Sequence, residues 1–455
     1  MKITRTILAW MIAVSPAWVE GQGVSLDDYI REGLENNLAL KQREVNYRKS
    51  QEVLKQARSL FYPDISLNMR YTVARGGRII EFPVGTMLNP VYESLNFLLG
   101  QEMFRDISDM EFAFYRPTEH ESKLSLRQPI VDTRIYYNSR IKSELSEAVK
   151  SDAEAYQRQL VAEIKTAYFN YLKTLRLTRL LDDTRELLEE NIRVNQKLFE
   201  NHKVTVDYVH RSKAELSKLE QQAAVALKNR QVAASYFNFL LNRPFDMLIE
   251  QNASYDSVPG VPSLDNLTSR ALDTREELDM IRSYSRAADD YLSMNRMQHI
   301  PNLYAAVDYG FQGRYYEFNG KQDFVLASLV LHWDLFHGFE KRAGISEAKI
   351  ERELRAAQLE ESENRIRLQA VEAYYEMLAA AESVNAAGEE LRSARDAFRI
   401  VRRKFGEGQA SLIEFIDART GMTKAEERLI ISKYDYHIRY ADLERAACLY
   451  PLEVR

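Results

Sequence analysis

The longest stretch of this chain without a helix breaker limits the folds open to it. Residues 130–243 contain neither glycine nor proline, and the whole 455-residue sequence has only 17 glycines and 11 prolines. These two residues interrupt helices more strongly than any others. Apolar residues between positions 160 and 198 recur at helical spacing. The stretch therefore predicts very long helices, of which one of about 60 residues would extend roughly 90 Å.

Two short breaks divide the helical regions into pairs. The first break lies at residues 201–205, where β-branched residues cluster, and a second helix follows towards residue 241. The other lies at the Gly-Glu-Gly of residues 406–408, between helical patterns over 350–405 and 412–449. A short break between two long helices lets the second fold back on the first. We predict two antiparallel helical hairpins.

The two hairpins belong to an internal duplication. Matching residues recur in the same order in both halves. The number of residues that separates the two members of a matched pair is smaller after Tyr71 and Tyr309 than before them. The first half must therefore hold an insertion, which residues 76–121 supply. Between the halves, Pro259, Gly260 and Pro262 indicate a linker. The matched pairs are Leu26 and Leu264, Leu34 and Leu272, Leu40 and Leu278, Pro63 and Pro301, Tyr71 and Tyr309, Ala167 and Ala373, and Phe199 and Phe405.

The start of the chain has the layout of a secretory signal peptide. Lys2 and Arg5 precede a short apolar run, and small and polar residues follow it. The run is shorter than the roughly 20 apolar residues of a membrane helix. We predict export, with no cysteine nearby to receive a lipid anchor. The predicted organisation is a signal peptide over 1–22, a first repeat over 23–244 with an inserted loop over 76–121, a linker over 245–263 and a second repeat over 264–455.

Each repeat is predicted to contain one β-hairpin after a first helix. The first helices span about 25–60 and 263–298, with Ser25 and Ser263 as N-cap residues. Apolar and polar residues then alternate over 65–74 and 303–312, and return strands follow at 123–128 and 325–334. A lone hairpin is marginal in water, and four strands are fewer than the roughly eight of the smallest common barrels. We expect several chains to share one barrel, with apolar faces towards lipid.

Composition and motifs argue against several classes of function. The net charge of −5 leaves no basic footprint for nucleic acid. The single cysteine, Cys448, excludes a disulfide within one chain. Phosphate-binding, dinucleotide-binding and nucleophile-elbow motifs are absent, and the seven histidines are scattered. We predict no enzymatic activity, no cofactor and no metal; His332 and His337 are more typical of an interface than of a metal site.

The duplicated order and several local segments resemble the TolC-like outer membrane efflux protein family. The segments are Ala-Arg-Ser-Leu-Phe-Tyr-Pro over 57–63, Arg-Gln-Pro-Ile-Val-Asp over 127–132, and residues 405–418. The resemblance implies a mainly α fold with a β-barrel portion. Duplicated long antiparallel helical hairpins would form an α-barrel tunnel, and four transmembrane β-strands per chain would join a trimeric twelve-stranded barrel.

The resemblance also implies a location, a function and partners. The chain would be the outer-membrane channel-tunnel subunit of a tripartite efflux or type I secretion system, a passive export duct from periplasm to exterior with a long periplasmic extension. Its partners would be two further copies in a homotrimer, a periplasmic adaptor (membrane fusion protein), an inner-membrane pump reached through that adaptor, and outer-membrane lipid. No nucleic acid is implied.

In this family, acidic residues after the second helical break narrow the periplasmic entrance. The matching positions here are Glu414 and Asp417, three residues apart on one helix face. Three copies of each would form charged rings that attract cations and raise the carboxylate pKa by repulsion. The family closes this entrance with specific side-chain contacts, and its pattern departs here: Phe405 lacks a hydroxyl, Ala410 lacks a charge, and the acidic partner falls at Tyr208, beside Asp207. Lys203, Arg211 and Arg403 are candidates for other closing contacts.

Further hypotheses concern the inserted segment and two other functions for the whole chain. The aromatic and aliphatic residues of segment 76–121 need burial, which predicts a structured cap over the outer opening. A soluble periplasmic coiled-coil scaffold would explain the helices without a channel. A metal-dependent enzyme would use the histidines instead.

Overall fold

The computed structural model describes residues 24–251 and 263–452. The predicted signal peptide and most of the predicted linker lie outside these residues. The chain divides into two compact units: one comprises Met1–Arg48, Glu147–Ser283 and Ala356–Arg455, and the other Lys49–Ser146 and Tyr284–Arg355. Each unit draws on both halves of the sequence. The boundaries of the two repeats therefore stay predictions, since the contacts group the chain differently.

The described residues form nine helices and six strands. The helices are α1 (Leu26–Asn36), α2 (Leu38–Ser59), α3 (Val84–Leu99), α4 (Thr133–Glu200), α5 (Val206–Leu240), α6 (Leu264–Thr274), α7 (Glu276–Met297), α8 (Glu340–Gly406) and α9 (Leu412–Ala446). The strands are β1 (Asp64–Val73), β2 (Ile79–Phe82), β3 (Met110–Ala113), β4 (Thr118–Val131), β5 (Asn302–Gly313) and β6 (Asp323–His332).

The long helices match each other in length. Helices α4 and α8 have 68 and 67 residues, and α5 and α9 have 35 each. The prediction of a mainly helical chain with two long hairpins is confirmed, because the long helix pairs break at the two predicted positions, after Glu200 and after Gly406. None of the helices in the described ranges has an apolar segment long enough to span a bilayer.

The prediction of one helix at the start of each half, over 25–60 and 263–298, is wrong. Each region forms two helices, because Asn37 and Arg275 adopt extended backbone between them. The Asn37 side-chain amide donates to the carbonyl of Leu240 at 2.8 Å. Such a distant partner stabilises a backbone bend that helical spacing alone does not reveal.

The helical unit has an aromatic core around α1. Tyr29 meets Tyr168 and Phe237 with ring centroids 5.9 and 5.2 Å apart, and all three side chains are buried. Ser25 caps α1 through a capping box with Asp28, as predicted, whereas Ser263 occupies the N-cap of α6 without a side-chain bond. The other buried residues of this cluster are Ile30, Leu40, Leu160, Val161, Ile164, Ala167, Phe169, Leu172, Leu240, Leu241 and Ile249.

The other unit contains an antiparallel sheet in the order β1-β4-β5-β6. Its register aligns Leu67, Leu124, Tyr309 and Val325 across all four strands. These apolar side chains are exposed, as is Leu329 at 68%. The opposite face holds the ion pairs of Lys123 and Arg70 with neighbouring carboxylates. The alternation therefore produces one apolar and one polar face, with β1 and β6 as edge strands among the described residues.

The insertion over 76–121 is structured rather than a loop. It contains β2 and β3, which pair with each other, and the sixteen-residue helix α3. Its last residues belong to β4, which begins at Thr118, before the predicted return strand. The prediction that its apolar residues are buried is not met within one chain, because most of them are exposed.

Candidate functional site: the turns of the two helical hairpins

The turn between α4 and α5 closes with a left-handed residue. The backbone N–H of Lys203 donates to the carbonyl of Leu198 at 2.8 Å, and His202 has φ 57°. This pattern is the helix C-terminal motif that usually contains glycine. Thr205 then precedes α5, but its hydroxyl donates to the carboxylate of Asp207 instead of capping a backbone amide.

Polar side chains fill the space behind this first turn. Asn195 donates to Asn191 at 3.0 Å and to the hydroxyl of Ser212 at 2.8 Å, and Ser212 also bonds Asn191 at 3.0 Å. All three are buried, and Asn195 is 0% exposed. These buried side chains join α4 to α5 at a fixed register, although the Asn195 Oδ1 atom has no hydrogen-bond partner among the described residues.

The turn between α8 and α9 has the same backbone with different residues. The N–H of Gln409 donates to the carbonyl of Lys404 at 2.8 Å, and Gly408 supplies the left-handed conformation with φ 74°. Ser411 then caps α9: its hydroxyl accepts from the N–H of Glu414 at 3.2 Å, and the Glu414 carboxylate accepts from the N–H of Ser411 at 2.7 Å. This reciprocal pair fixes the first turn of α9.

The two acidic residues near this turn differ in their surroundings. Glu414 and Asp417 are both exposed, and their spacing places them on one side of α9. Hydrogen bonds from the backbone and hydroxyl of Ser411, with a smaller contribution from Lys404, lower the pKa of Glu414. Glu414 is therefore ionised in the protomer at neutral pH.

Aromatic side chains pack behind the second turn. Phe415 stacks on Phe405 with ring centroids 4.8 Å apart and meets Phe398 at 5.7 Å. Phe398 is buried, and Phe405 and Phe415 are half-buried. The stacking joins the end of α8 to the start of α9 through apolar contact.

One ion pair joins the two hairpins near these turns. The Arg419 guanidinium of α9 lies 3.5 Å from the carboxylate of Glu215 on α5. Arg419 is only 5% exposed, and its Nε has no hydrogen-bond partner within residues 24–251 and 263–452. Burial lowers the pKa of Arg419, and the charge of Glu215 partly offsets this. A buried cation with one carboxylate partner makes this junction sensitive to any change at either residue.

The comparisons with known proteins agree with this architecture. The family profile described as "Outer membrane efflux protein" matches residues 267–448. A membrane protein from Pseudomonas aeruginosa has 16% identity and a TM-score of 0.76, covering 94% of this chain and 93% of its own. The MtrE outer membrane channel of Neisseria gonorrhoeae in its open state has 15% identity and a TM-score of 0.76, covering 93% and 88%. No curated protein matches the chain.

The second half of the chain matches the outer membrane efflux protein family. The fold of the chain is similar also to the CmeC outer membrane channel of Campylobacter jejuni, with 15% identity, a TM-score of 0.74 and coverage of 98% and 93%. The profile match and the shared fold are those of outer-membrane channels with a periplasmic helical extension. The family consists of channels rather than enzymes.

Within this chain, the predicted site residues fall into two groups. Phe405, Glu414 and Asp417 surround the second turn, and Asp207 and Tyr208 belong to the first. In the described part of the chain, no hydrogen bond, ion pair or ring contact joins the two groups. Asp207 pairs within its own helix with Arg211 at 3.7 Å, and Arg403 pairs likewise with Glu407 at 3.2 Å.

Sequence reasoning missed Arg419, the cation that joins the hairpins near their turns. Farther from the turns, Lys165 and Lys173 of α4 also pair with carboxylates of α9. Among the described residues, the candidates Arg211 and Arg403 form ion pairs with Asp207 and Glu407, each four residues away in the sequence. A signal was present: Leu412, Ile416 and Arg419 follow at helical spacing, so an arginine occupies the buried face of α9. Its partner lies about 200 residues away in the sequence, so pattern alone could not identify it.

The histidines of the sheet unit show no converging ligand set. His332 Nε2 lies 3.1 Å from the carboxylate of Asp334, and His337 lies 3.8 Å from that of Glu340. Across residues 24–251 and 263–452, no three His, Cys, Asp or Glu side chains are grouped to hold a metal ion. The two contacts are ordinary surface pairs.

Proposed function

We propose that the chain is the outer-membrane channel of a tripartite efflux system, a passive duct from periplasm to exterior. The observation that supports this most strongly is the sheet, whose apolar face is exposed along all four strands. An exposed apolar face of this extent requires lipid or another partner. In a soluble scaffold the same face would have to contact protein, and no described element of its own unit covers it.

The edge strands support a barrel shared by three chains. β1 and β6 each pair on one side only, so each leaves a row of backbone groups unpaired. In a trimer, β6 of one copy pairs with β1 of the next, and twelve strands close without an edge. The face with Arg70, Glu121, Lys123 and Asp308 then lines the lumen, and the leucine-rich face contacts lipid.

The acidic residues of α9 form the periplasmic entrance of this channel. Three copies each of Glu414 and Asp417 make two rings of carboxylates. Because both residues are exposed in the protomer, they are available to attract cations. In the trimer, repulsion within a ring opposes the lowering of the Glu414 pKa by Ser411.

Closure of the entrance uses Arg419 and Glu215 in place of the family's usual contacts. The pair connects α9 to α5 of the same copy at 3.5 Å. In the duplicated sequence, Arg419 of α9 corresponds to Lys213 of α5, and Glu215 of α5 corresponds to Gly421 of α9. Lys213 and Gly421 cannot form an ion pair. The closing ion pair therefore occurs once in each chain and has no counterpart at the duplicated position. An adaptor that separates α5 from α9 would open the tunnel to an inner-membrane pump.

Fractionation and conductance test the function together. The protein should be recovered from outer membranes as a cross-linked trimer and should form pores in planar bilayers. Glu414→Gln with Asp417→Asn should lower cation selectivity, whereas the control Glu427→Gln, an exposed acid elsewhere on α9, should leave it unchanged. Recovery as a soluble periplasmic species without conductance would contradict the channel and favour the scaffold.

A further inference from the structure

The insertion between β1 and β4 presents a rigid helix. Helix α3 lies so close to the segment after it that a Cβ on Gly85 would be 2.0 Å from the carbonyl oxygen of Ile107. Asn89 makes two hydrogen bonds with the backbone of Ile107, at 2.9 and 3.0 Å. Asn96 binds the backbone of Phe104 in the same way, at 2.7 and 2.9 Å. One face of α3 is therefore fixed to its own insertion.

The start of α3 is held by a second contact. The Asp109 carboxylate accepts from the N–H and the hydroxyl of Thr86 at 2.9 and 2.8 Å. A carboxylate at this position also complements the helix dipole. With both ends held, the side of α3 that faces away from the segment 103–109 keeps a defined orientation.

That outward side is apolar and uncovered. Leu98 and Met87 are 78% and 70% exposed, and the remaining residues of the stripe recur at helical spacing. The only charged residue of α3 is Glu93, which is exposed and follows Asn89 by four residues, outside the stripe. The stripe consists of Met87, Leu88, Val91, Leu95, Leu98 and Leu99.

Charge argues against a membrane surface as the partner of this stripe. Helices that lie in a membrane interface usually have lysine and arginine on their polar side. Residues 76–117 contain six acidic residues and three arginines, with no lysine. An acidic segment gains nothing from anionic lipid headgroups. The stripe therefore favours protein as its cover.

The position of the insertion indicates which protein that is. The insertion follows β1 directly, and β1 is an edge strand of the sheet. It leaves the sheet at the end where Val73 pairs with Thr118. In the trimer the edge of β1 adjoins the next copy, so the insertion continues from the subunit junction.

We infer that the outward faces of the three α3 helices pack against one another in the trimer and form a lid across the outer opening of the channel. This inference depends on the proposed trimeric channel. The stripe is self-complementary because leucine, valine and methionine of one copy contact the same residues of the next. The lid narrows the exit, which the polar lumen alone would leave open.

Cysteine cross-linking tests the contact between copies. The only native cysteine, Cys448, is 3% exposed, and burial raises the pKa of its thiol, so the unsubstituted protein serves as the unreactive control. Leu98→Cys in the purified full-length trimer, treated with a short bismaleimide, should yield covalent dimers and trimers. The matched control is Glu102→Cys, which is exposed in the same insertion but outside the stripe. It should label with maleimide without linking copies.

Each other outcome has a distinct meaning. If the sample is a conducting trimer and Leu98→Cys labels fully but does not link, the lid is wrong while the channel stands. If a bimane label at position 98 is then quenched by brominated lipid, the stripe binds the membrane instead. If the protein is not a trimer, the proposed function itself fails. Met87→Ser with Leu98→Ser should also raise single-channel conductance, and unchanged conductance would contradict the lid.

Discussion

The two helical turns share a backbone but differ in chemistry. Each ends its long helix with a left-handed residue, His202 in the first turn and Gly408 in the second, and the same pattern of backbone hydrogen bonds closes both. Both are followed by helices of 35 residues. The duplication therefore preserved the geometry of the turn, while the side chains that support it diverged.

The divergence extends behind and beyond the turns. Buried amides support the first turn, and the positions equivalent to Asn191, Asn195 and Ser212 hold Ala397, Val401 and Ala418. Stacked phenylalanines and a capping box support the second turn instead. Polar contacts fix one register, whereas apolar stacking tolerates sliding, so we expect the second hairpin to move when the channel opens.

The largest effect is expected where the two hairpins meet. Glu215→Ala leaves the buried guanidinium of Arg419 without its carboxylate and should lower the free energy of local unfolding by about 2–3 kcal/mol. Hydrogen exchange of the α5 and α9 amides measures this, and conductance should rise with it. Lys213→Ala, at the exposed equivalent position, is the control. Equal hydrogen exchange in the two variants would mean that the ion pair of Arg419 with Glu215 does not hold α5 and α9 together.

The amide cluster should show the next largest effect. Asn195→Val leaves the side chains of Asn191 and Ser212 short of a partner and should destabilise the first turn by about 2 kcal/mol. The triple substitution Asn191→Ala, Asn195→Val, Ser212→Ala introduces the residues of the second repeat. It should restore much of the stability that the single substitution removes. Hydrogen exchange near the first turn measures both, and a triple variant worse than the single one would contradict the account.

Substitution of the left-handed residues in the two turns should change the stability less, and in opposite directions. Gly408→Ala should cost about 1 kcal/mol, because a Cβ there meets no other atom and only the backbone conformation is strained. His202→Gly should relieve a similar strain, reduced by the greater entropy of glycine in the unfolded chain. Thermal unfolding followed by circular dichroism should shift in opposite directions. A shift of the same sign in both would show that side-chain contacts dominate at these positions.

The helix caps give the smallest expected difference. Ser411→Ala removes the capping box and should destabilise the start of α9 by about 1 kcal/mol, whereas Thr205→Ala removes no cap from α5. The pKa of Glu414 is lowered in the folded protein, so its stabilisation is present at neutral pH and is lost as pH falls below the usual glutamate range. Below that pH range, hydrogen exchange of the first turn of α9 should accelerate in the unsubstituted protein and much less in Ser411→Ala.

Sequence patterns predicted the elements whose cause is local. The scarcity of glycine and proline determines the long helices, and strict alternation determines the strands. The break at Asn37 was missed because its partner, the carbonyl of Leu240, is distant in sequence. Helix α3 was missed because Asn89-Pro90 favours a turn, and contacts with residues 103–109 overcome that preference. Of the candidate site, Glu414 and Asp417 stay predictions from the family resemblance, while the ion pair of Arg419 with Glu215 became apparent only in the fold.

The order of the strands has a consequence for biogenesis. β4 and β5 form the centre of the sheet, and their pairing joins His120 to Gly313, on either side of the first helical hairpin and the linker. Contacts between residues so far apart in sequence form slowly, because the intervening chain must first be confined. Until β5 emerges from the translocon, the apolar side chains of β1 and β4 have no complete sheet around them. We therefore expect the newly exported chain to bind a periplasmic chaperone for extended apolar segments until its second half arrives.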